Sequence, residues 1–349
     1  MYKLKPLTDG FGRRITYLRI SVTDRCNLRC VYCMPESGVY RLNHYNIICY
    51  EDILRLVDIL SKHGVSKIRI TGGEPLVRKG LTGFIKKISR IEMVRDISMT
   101  TNGTLFEKYA EELYNSGLKR INISLDSLKE ERFRYITRGG TLRDVLSSIE
   151  IARQTGFNPV KINTVLIKGI NDDEIIDFVD FAKKYELNLR FIEYMPIGGN
   201  IADAISSKEI EEKIKSKFSD FSPVCGERNN SDAGLAGKTS AYDGVSRLFG
   251  FKDGRSLIGF ISPLSEHFCG DCNRLRLTAS GNLRLCLFYD NEYNIKDILK
   301  EKDDDAVFEK ISDIVRLKRL KHNFNEKAKK VEPSLCGNDA NDFMNSIGG

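Results

Sequence analysis

Tyr17-Leu18-Arg19-Ile20-Ser21-Val22-Thr23-Asp24-Arg25-Cys26-Asn27-Leu28-Arg29-Cys30-Val31-Tyr32-Cys33 is the stretch on which the fold turns. Residues 17–22 set Leu18 and Ile20 against Arg19 and Ser21, the period of two expected of a strand with unlike faces. Three cysteines follow, close enough along the chain to grip one metal centre. A strand feeding ligands into the loop behind it suits an α/β architecture, whose chemistry collects where strands end.

The unit recurs downstream. Residues 51–63 read as a helix, with Ile53, Leu56, Val57 and Leu60 on one face and Gly64 as its C-terminal stop. Strands are expected at 67–70, 97–100, 120–125, 160–166 and 189–194, and helices at 81–91, 105–115 and 142–154. Asn171 stands as the cap of a further helix whose first turn carries Asp172, Asp173 and Glu174. Strands alternating with helices in this way predict an α/β fold, with the parallel sheet curved into an incomplete (β/α)6 barrel of TIM type. The strand tails are polar or glycine-rich: Thr71-Gly72-Gly73-Glu74, Thr101-Asn102-Gly103, Ser124-Leu125-Asp126. They support a site across the barrel mouth, although ordinary turns use the same residues.

Beyond Gly198 the alternation lapses, which divides the chain into a barrel domain, 1–198, and a C-terminal extension, 199–349. In the extension, 206–218 reads as helix, 227–254 as loop, and 303–349 as mostly helical and basic, then loose.

Charged residues make up 30% of the chain and no apolar run approaches a membrane span, so a soluble, cytoplasmic protein is expected. The net charge of +7 fits a nucleic-acid binder, a polyphosphate-binding enzyme or a solvated basic surface, and by itself does not choose. The placement of the cations says more. Arg19, Arg69, Lys161 and Arg190 lie in strand segments rather than on helix faces, a costly position without an anionic partner.

Of the 9 cysteines, six form two groups: Cys26, Cys30 and Cys33, and Cys269, Cys272 and Cys286. In a reducing compartment such grouping argues for metal or redox chemistry before disulfides. Zinc normally takes a fourth Cys or His; the first group offers only His44, a weak candidate in an expected loop, and the second shows no obvious fourth. A four-iron four-sulfur cluster on three cysteines instead keeps one iron open to a small molecule. For the second group a zinc knuckle competes by spacing alone. The pairing of two incomplete sites favours clusters. Cys49, Cys225 and Cys336 are isolated and read as packing or surface residues.

Several segments together carry a resemblance. They are Phe11-Gly12-Arg13, residues 18–27, Ile68-Arg69-Ile70-Thr71-Gly72-Gly73-Glu74-Pro75-Leu76, Thr100-Thr101-Asn102-Gly103, Ile123-Ser124-Leu125-Asp126, Phe191-Ile192-Glu193-Tyr194-Met195 and Gly259-Phe260-Ile261-Ser262-Pro263. With the two cysteine groups, they make the chain similar, nearly end to end, to the GTP 3′,8-cyclase family of molybdenum cofactor biosynthesis, within the radical S-adenosylmethionine (SAM) superfamily. The resemblance implies two 4Fe–4S clusters, on Cys26, Cys30 and Cys33 and on Cys269, Cys272 and Cys286, with SAM at the first and GTP at the second. It implies GTP contacts from Arg19, Arg69, Thr100, Lys161, Arg274, Leu275 and Arg276, and SAM contacts from Tyr32, Gly73, Ser124 and Met195. Arg190 is implied near the substrate, assisting a late electron or proton step, and the tail Gly348-Gly349 reaches the active site. The implied reaction begins with a 5′-deoxyadenosyl radical taking hydrogen from C3′ of GTP, and ends in 3′,8-cyclo-7,8-dihydro-GTP. The implied partners are an external electron donor, a downstream cyclic pyranopterin monophosphate synthase and a second copy in a homodimer, with neither nucleic acid nor membrane.

Some places depart from the family pattern: Gly244-Val245-Ser246 replaces a Gly-Pro-Ala-like step, and Lys321-His322 lacks the usual proline. Two other readings remain at this stage. One is a peptide-modifying radical SAM enzyme with auxiliary clusters; the other is a metal-binding nucleic-acid module.

Overall fold

Strand β1 (Tyr17–Ser21) carries Leu18 and Ile20, fully buried against helices, and Arg19 on the opposite face. In the computed structural model of the chain, which describes residues 4–195, 204–224, 242–243, 246–266, 269–289 and 291–322, that unit is repeated around a curved sheet. In order come α1 (Tyr50–Lys62), β2 (Lys67–Thr71), α2 (Leu81–Ile88), β3 (Asp96–Thr101), α3 (Ala110–Asn115), β4 (Arg120–Ser124), α4 (Glu130–Thr137), α5 (Leu142–Thr155), β5 (Val160–Leu166), α6 (Ile175–Tyr185) and β6 (Asn188–Glu193). The extension adds α7 (Ser207–Lys217), β7 (Ser222–Pro223), β8 (Tyr242–Asp243), β9 (Ser246–Gly250), β10 (Leu257–Ile261), β11 (Arg274–Leu277), β12 (Asn282–Arg284), β13 (Glu292–Asn294), α8 (Ile295–Ile298) and α9 (Asp304–Arg316).

All six barrel strands are there and parallel, paired in chain order from β1 to β6. The extension joins the same sheet at both edges: β10 runs parallel to β6, and β11 parallel to β1. Strands stand about 4.8 Å apart, so in a flat sheet β1 and β6 would be separated by ~24 Å. Yet Arg190 on β6 feels the charges of Tyr17 on β1 and Arg274 on β11. It also donates to Asn122 Oδ1 on β4 at 3.2 Å, reaching past β5. The sheet therefore curls around a lumen.

Differences from expectation are local. α4 is a helix where none is expected: Glu-Glu-Arg-Phe-Arg-Tyr-Ile-Thr offers only Phe133, Ile136 and Thr137 as its buried side, too short a stripe to show as periodicity. Residues 106–109 form a 3-10 turn before α3. Asn171 does not cap with its side chain. Its Oδ1 accepts from Ile167 N–H at 2.8 Å and its Nδ2 donates to the Asp126 and Val165 carbonyls, tying the β4 and β5 loops together. Strand β9 lies within 227–254, read above as loop, and continues the sheet beside β10. Ser206 and Glu209 make a reciprocal capping box on α7.

Candidate active site

The first cysteine loop leaves the C-terminal end of β1 and packs under the unforeseen α4, where Arg29 and Val31 N–H groups donate to the Thr137 and Ile136 carbonyls. The Gly72-Gly73 step holds it from the other side. A Cβ on Gly73 would lie 2.3 Å from the Arg25 carbonyl oxygen, and Gly73 N–H donates to the Thr23 oxygen at 2.7 Å. The two glycines thus let backbone meet backbone beside the thiols, not only a ligand.

Two acids back this loop. Glu74, fully buried, accepts from Thr101 Oγ1 and from the Asn102 and Leu76 N–H groups; burial raises its pKa to about 7. Asp126 accepts from Tyr32 Oη at 2.7 Å and Val165 N–H at 2.8 Å, and burial raises it to about 6. Burial likewise pushes the Cys26 thiol up to about 11 and Cys30 well above its usual value; Cys30 also feels Cys33, Asp126 and Cys26.

The second cysteine site sits at the other end of the strands. Cys272 precedes β11, which is parallel to β1, and Cys286 follows antiparallel β12. Five strand residues, about 17 Å, separate it from the first site. Arg13, from the Phe11-Gly12-Arg13 motif, pairs with buried Asp9 at 2.6 Å and donates to the carbonyls of Cys269, Arg319 and Leu320. Buried Lys318 donates to the Leu285 carbonyl. Cys269 is raised by burial, while Cys272 is lowered: burial opposes, but Lys318, Arg274 and Arg13 prevail. His322, beside Phe288, meets the Pro263 carbonyl through Nε2.

Between the sites the lumen is basic. Register places Arg19 beside Arg69 on one side and Arg276 on the other, Lys161 beside Asn122, and Arg190 beside Asn163. Arg19, Lys161 and Arg190 are almost fully buried, and the charges around each are mainly other cations. Burial and then this repulsion hold Arg19 and Lys161 well below their usual pKa values. Thr100 Oγ1, Asn163 Oδ1 and Arg274 Nε are buried without a hydrogen-bond partner among the described residues. Such a surface fits a polyanion that also offers hydrogen bonds.

The remaining expected residues are placed as follows. Ser124 ends β4 and Met195 follows β6, both half-buried. Leu275 points to the other face of β11 into the core, leaving its backbone for any ligand. Gly348 and Gly349 lie outside the described residues, as do Cys225 and Cys336. Cys49 is exposed and caps α1, accepting from Asp52 N–H. Glu74, Asp126, Arg13 and Lys318 escaped the sequence reading as site residues; their quoted motifs were the available signal for the first three.

Among the described residues, no three His, Cys, Asp or Glu side chains converge as ligands of a single metal ion. An iron–sulfur cubane bonds each cysteine to a different iron and spreads the sulfurs wider. At each end three thiols that feel one another, with no fourth donor converging among the described residues, fit that group.

The radical SAM superfamily pattern matches residues 20–182, and the pattern named Molybdenum Cofactor Synthesis C matches 187–324. Streptococcus suis SuiB bound to S-adenosylmethionine superposes with a TM-score of 0.59 over 87% of this chain and 68% of that one. At 15% identity, that likeness shows the fold alone. Fold and first cysteine loop together define a radical SAM enzyme. A GTP 3′,8-cyclase of Thermodesulfovibrio yellowstonii is 50% identical over 84% of this chain and 88% of its own length. One of Clostridium botulinum is 46% identical over 95% of this chain and 100% of its own. The chain belongs to the GTP 3′,8-cyclase family. No helix among the described residues is long and apolar enough to cross a membrane.

Proposed function

We infer that this enzyme converts GTP to (8S)-3′,8-cyclo-7,8-dihydroguanosine 5′-triphosphate, the first step of molybdenum cofactor biosynthesis. The observation that carries the reading is the cation-lined lumen joining two open three-thiol sites. When bound, the first cluster with SAM supplies a 5′-deoxyadenosyl radical, and the second cluster an open iron for the guanine. Cys26, Cys30 and Cys33 hold the first cluster; Tyr32, Gly73, Ser124 and Met195 border SAM. Cys269, Cys272 and Cys286 hold the second.

Arg19, Arg69, Thr100, Lys161, Arg274 and Arg276, with the Leu275 backbone, bind the triphosphate and orient the ribose toward the first site, while the enclosing strands exclude water. Arg190, anchored on Asn122, assists a late electron or proton step, and Gly348-Gly349 is needed for activity. Residues 1–198 carry the radical chemistry together with Arg19, Arg69, Thr100 and Lys161 of the GTP site, and 199–349 carry the second cluster and the remaining GTP contacts. An external one-electron donor, a downstream cyclic pyranopterin monophosphate synthase, a homodimer and a cytoplasmic setting complete the reading.

The test is anaerobic: reconstitute iron and sulfide, add dithionite, SAM and GTP, and follow nucleosides by mass spectrometry. Cyclised GTP of unchanged mass appearing together with 5′-deoxyadenosine is expected. 5′-Deoxyadenosine beside intact GTP would end the substrate assignment.

A further inference from the structure

Tyr17 is a lumen residue to which the reading above gives no task. It opens β1 on the same face as Arg19, is 8% exposed, and its hydroxyl is buried without a hydrogen-bond partner among the described residues. Register sets it beside Arg274, and its ring lies under two guanidiniums: the Arg69 and Arg274 carbons stand 5.5 and 5.1 Å from the ring centre. Arg19 and Arg190 also feel its charge.

A buried hydroxyl without a partner is unfavourable, and phenylalanine would fill the same space without that cost. The cations around it are donors and cannot accept its hydrogen. They would attract an anion whose oxygens can. They also sharpen the donor. Burial alone would raise the phenol's pKa, but Arg69, Arg274 and Arg19 outweigh burial and lower it, which loosens the O–H bond. Tyr17 stands one strand from Arg274, two residues beyond Cys272, and so borders the second site.

We propose that Tyr17 is a substrate-binding residue whose hydroxyl donates a hydrogen bond to a phosphate oxygen of the bound nucleoside triphosphate, between Arg69 and Arg274. This deepens the proposed function and rests on it, since it requires the triphosphate to occupy the lumen. With the Thr100 hydroxyl, the Tyr17 hydroxyl adds direction to a site built mainly of point charges and forks. It distinguishes a correctly seated phosphate from any anion drawn in by charge.

The test compares anaerobically reconstituted wild type, Tyr17→Phe and Lys161→Gln by equilibrium dialysis with radiolabelled GTP and, separately, guanosine. Tyr17→Phe keeps the ring and should leave iron content and melting temperature at wild-type values. Its GTP affinity should fall about tenfold, as expected for a lost hydrogen bond to a charged group, with guanosine binding unchanged. Wild-type GTP affinity in Tyr17→Phe, or an equal loss for guanosine, overturns the proposal. If Lys161→Gln weakens GTP while Tyr17→Phe does not, only the Tyr17 assignment fails. If neither variant weakens it, the triphosphate is not in the lumen and the proposed function falls as well.

Discussion

At one mouth of the half-barrel, Cys26, Cys30 and Cys33 lie against the buried acids Glu74 and Asp126; at the other, Cys269, Cys272 and Cys286 lie among Arg13, Arg274 and Lys318. The same set of three thiols meets opposite fields. Cys30 is pushed up by burial, its fellow cysteines and Asp126, whereas cations bring Cys272 down against its burial. The supports differ in kind as well. Backbone packing holds the first loop, through Gly73 and α4, while a guanidinium holds the second across a sequence distance of 256. Ligand number therefore says little about a cluster's behaviour; surroundings tune it.

The largest effects should come from the thiols themselves. Cys26→Ser should remove 5′-deoxyadenosine formation by more than about 100-fold, beyond the usual cost of losing a supporting group. Cys269→Ser should remove the cyclised product while 5′-deoxyadenosine remains detectable by mass spectrometry. Equal loss of both products in the two variants would erase the division between the sites.

Arg13→Lys should strike only the second site. A lysine keeps the charge but cannot serve one carboxylate and three carbonyls at once. About 10–100-fold weaker iron retention is expected, seen as loss of half the iron on desalting. Uniform loss from both sites would mean that Arg13 acts on the fold at large.

Gly73→Ala should strike the first site, because its Cβ would press on the Arg25 carbonyl and on Cys26 N at 2.9 Å. A cost of about 1–3 kcal/mol is expected from such overpacking, read as a lowered melting temperature together with first-site iron loss. Unchanged melting and iron would show that the loop yields freely.

The smallest effect is a slope. Burial pushes Glu74 up to about 7 in the folded apoprotein from the 4.5 of an ordinary glutamate, so between these values the folded state keeps a proton that the unfolded chain has lost. Stability from this group is thus present below pH 4.5 and declines as pH rises to about 7, by at most ~1.4 kcal/mol per unit. Urea titrations of Glu74→Gln should show a flatter profile across that window; an identical profile would assign the slope elsewhere.

Much of the barrel was legible in one dimension. The strand at 160–166 was read to the residue, and both cysteine groups and the basic strand positions stood out by spacing. Residues 130–137 were not legible, because two turns with three buried side chains carry no periodic signal. Nor was β9, since a single five-residue strand after a polar stretch looks like loop.

Local order along the chain sufficed for the six strand–helix units, because alternation and helical periodicity are written within a dozen residues. It also sufficed for the two sets of thiols. The tertiary structure alone decided that β10 and β11 close on opposite edges of one sheet, that Arg13 reaches Cys269, and that Tyr17 lies between Arg69 and Arg274. The reason is physical: a strand's face is set by its own side chains, but its neighbour is set by competition among distant edges for backbone hydrogen bonds and packing.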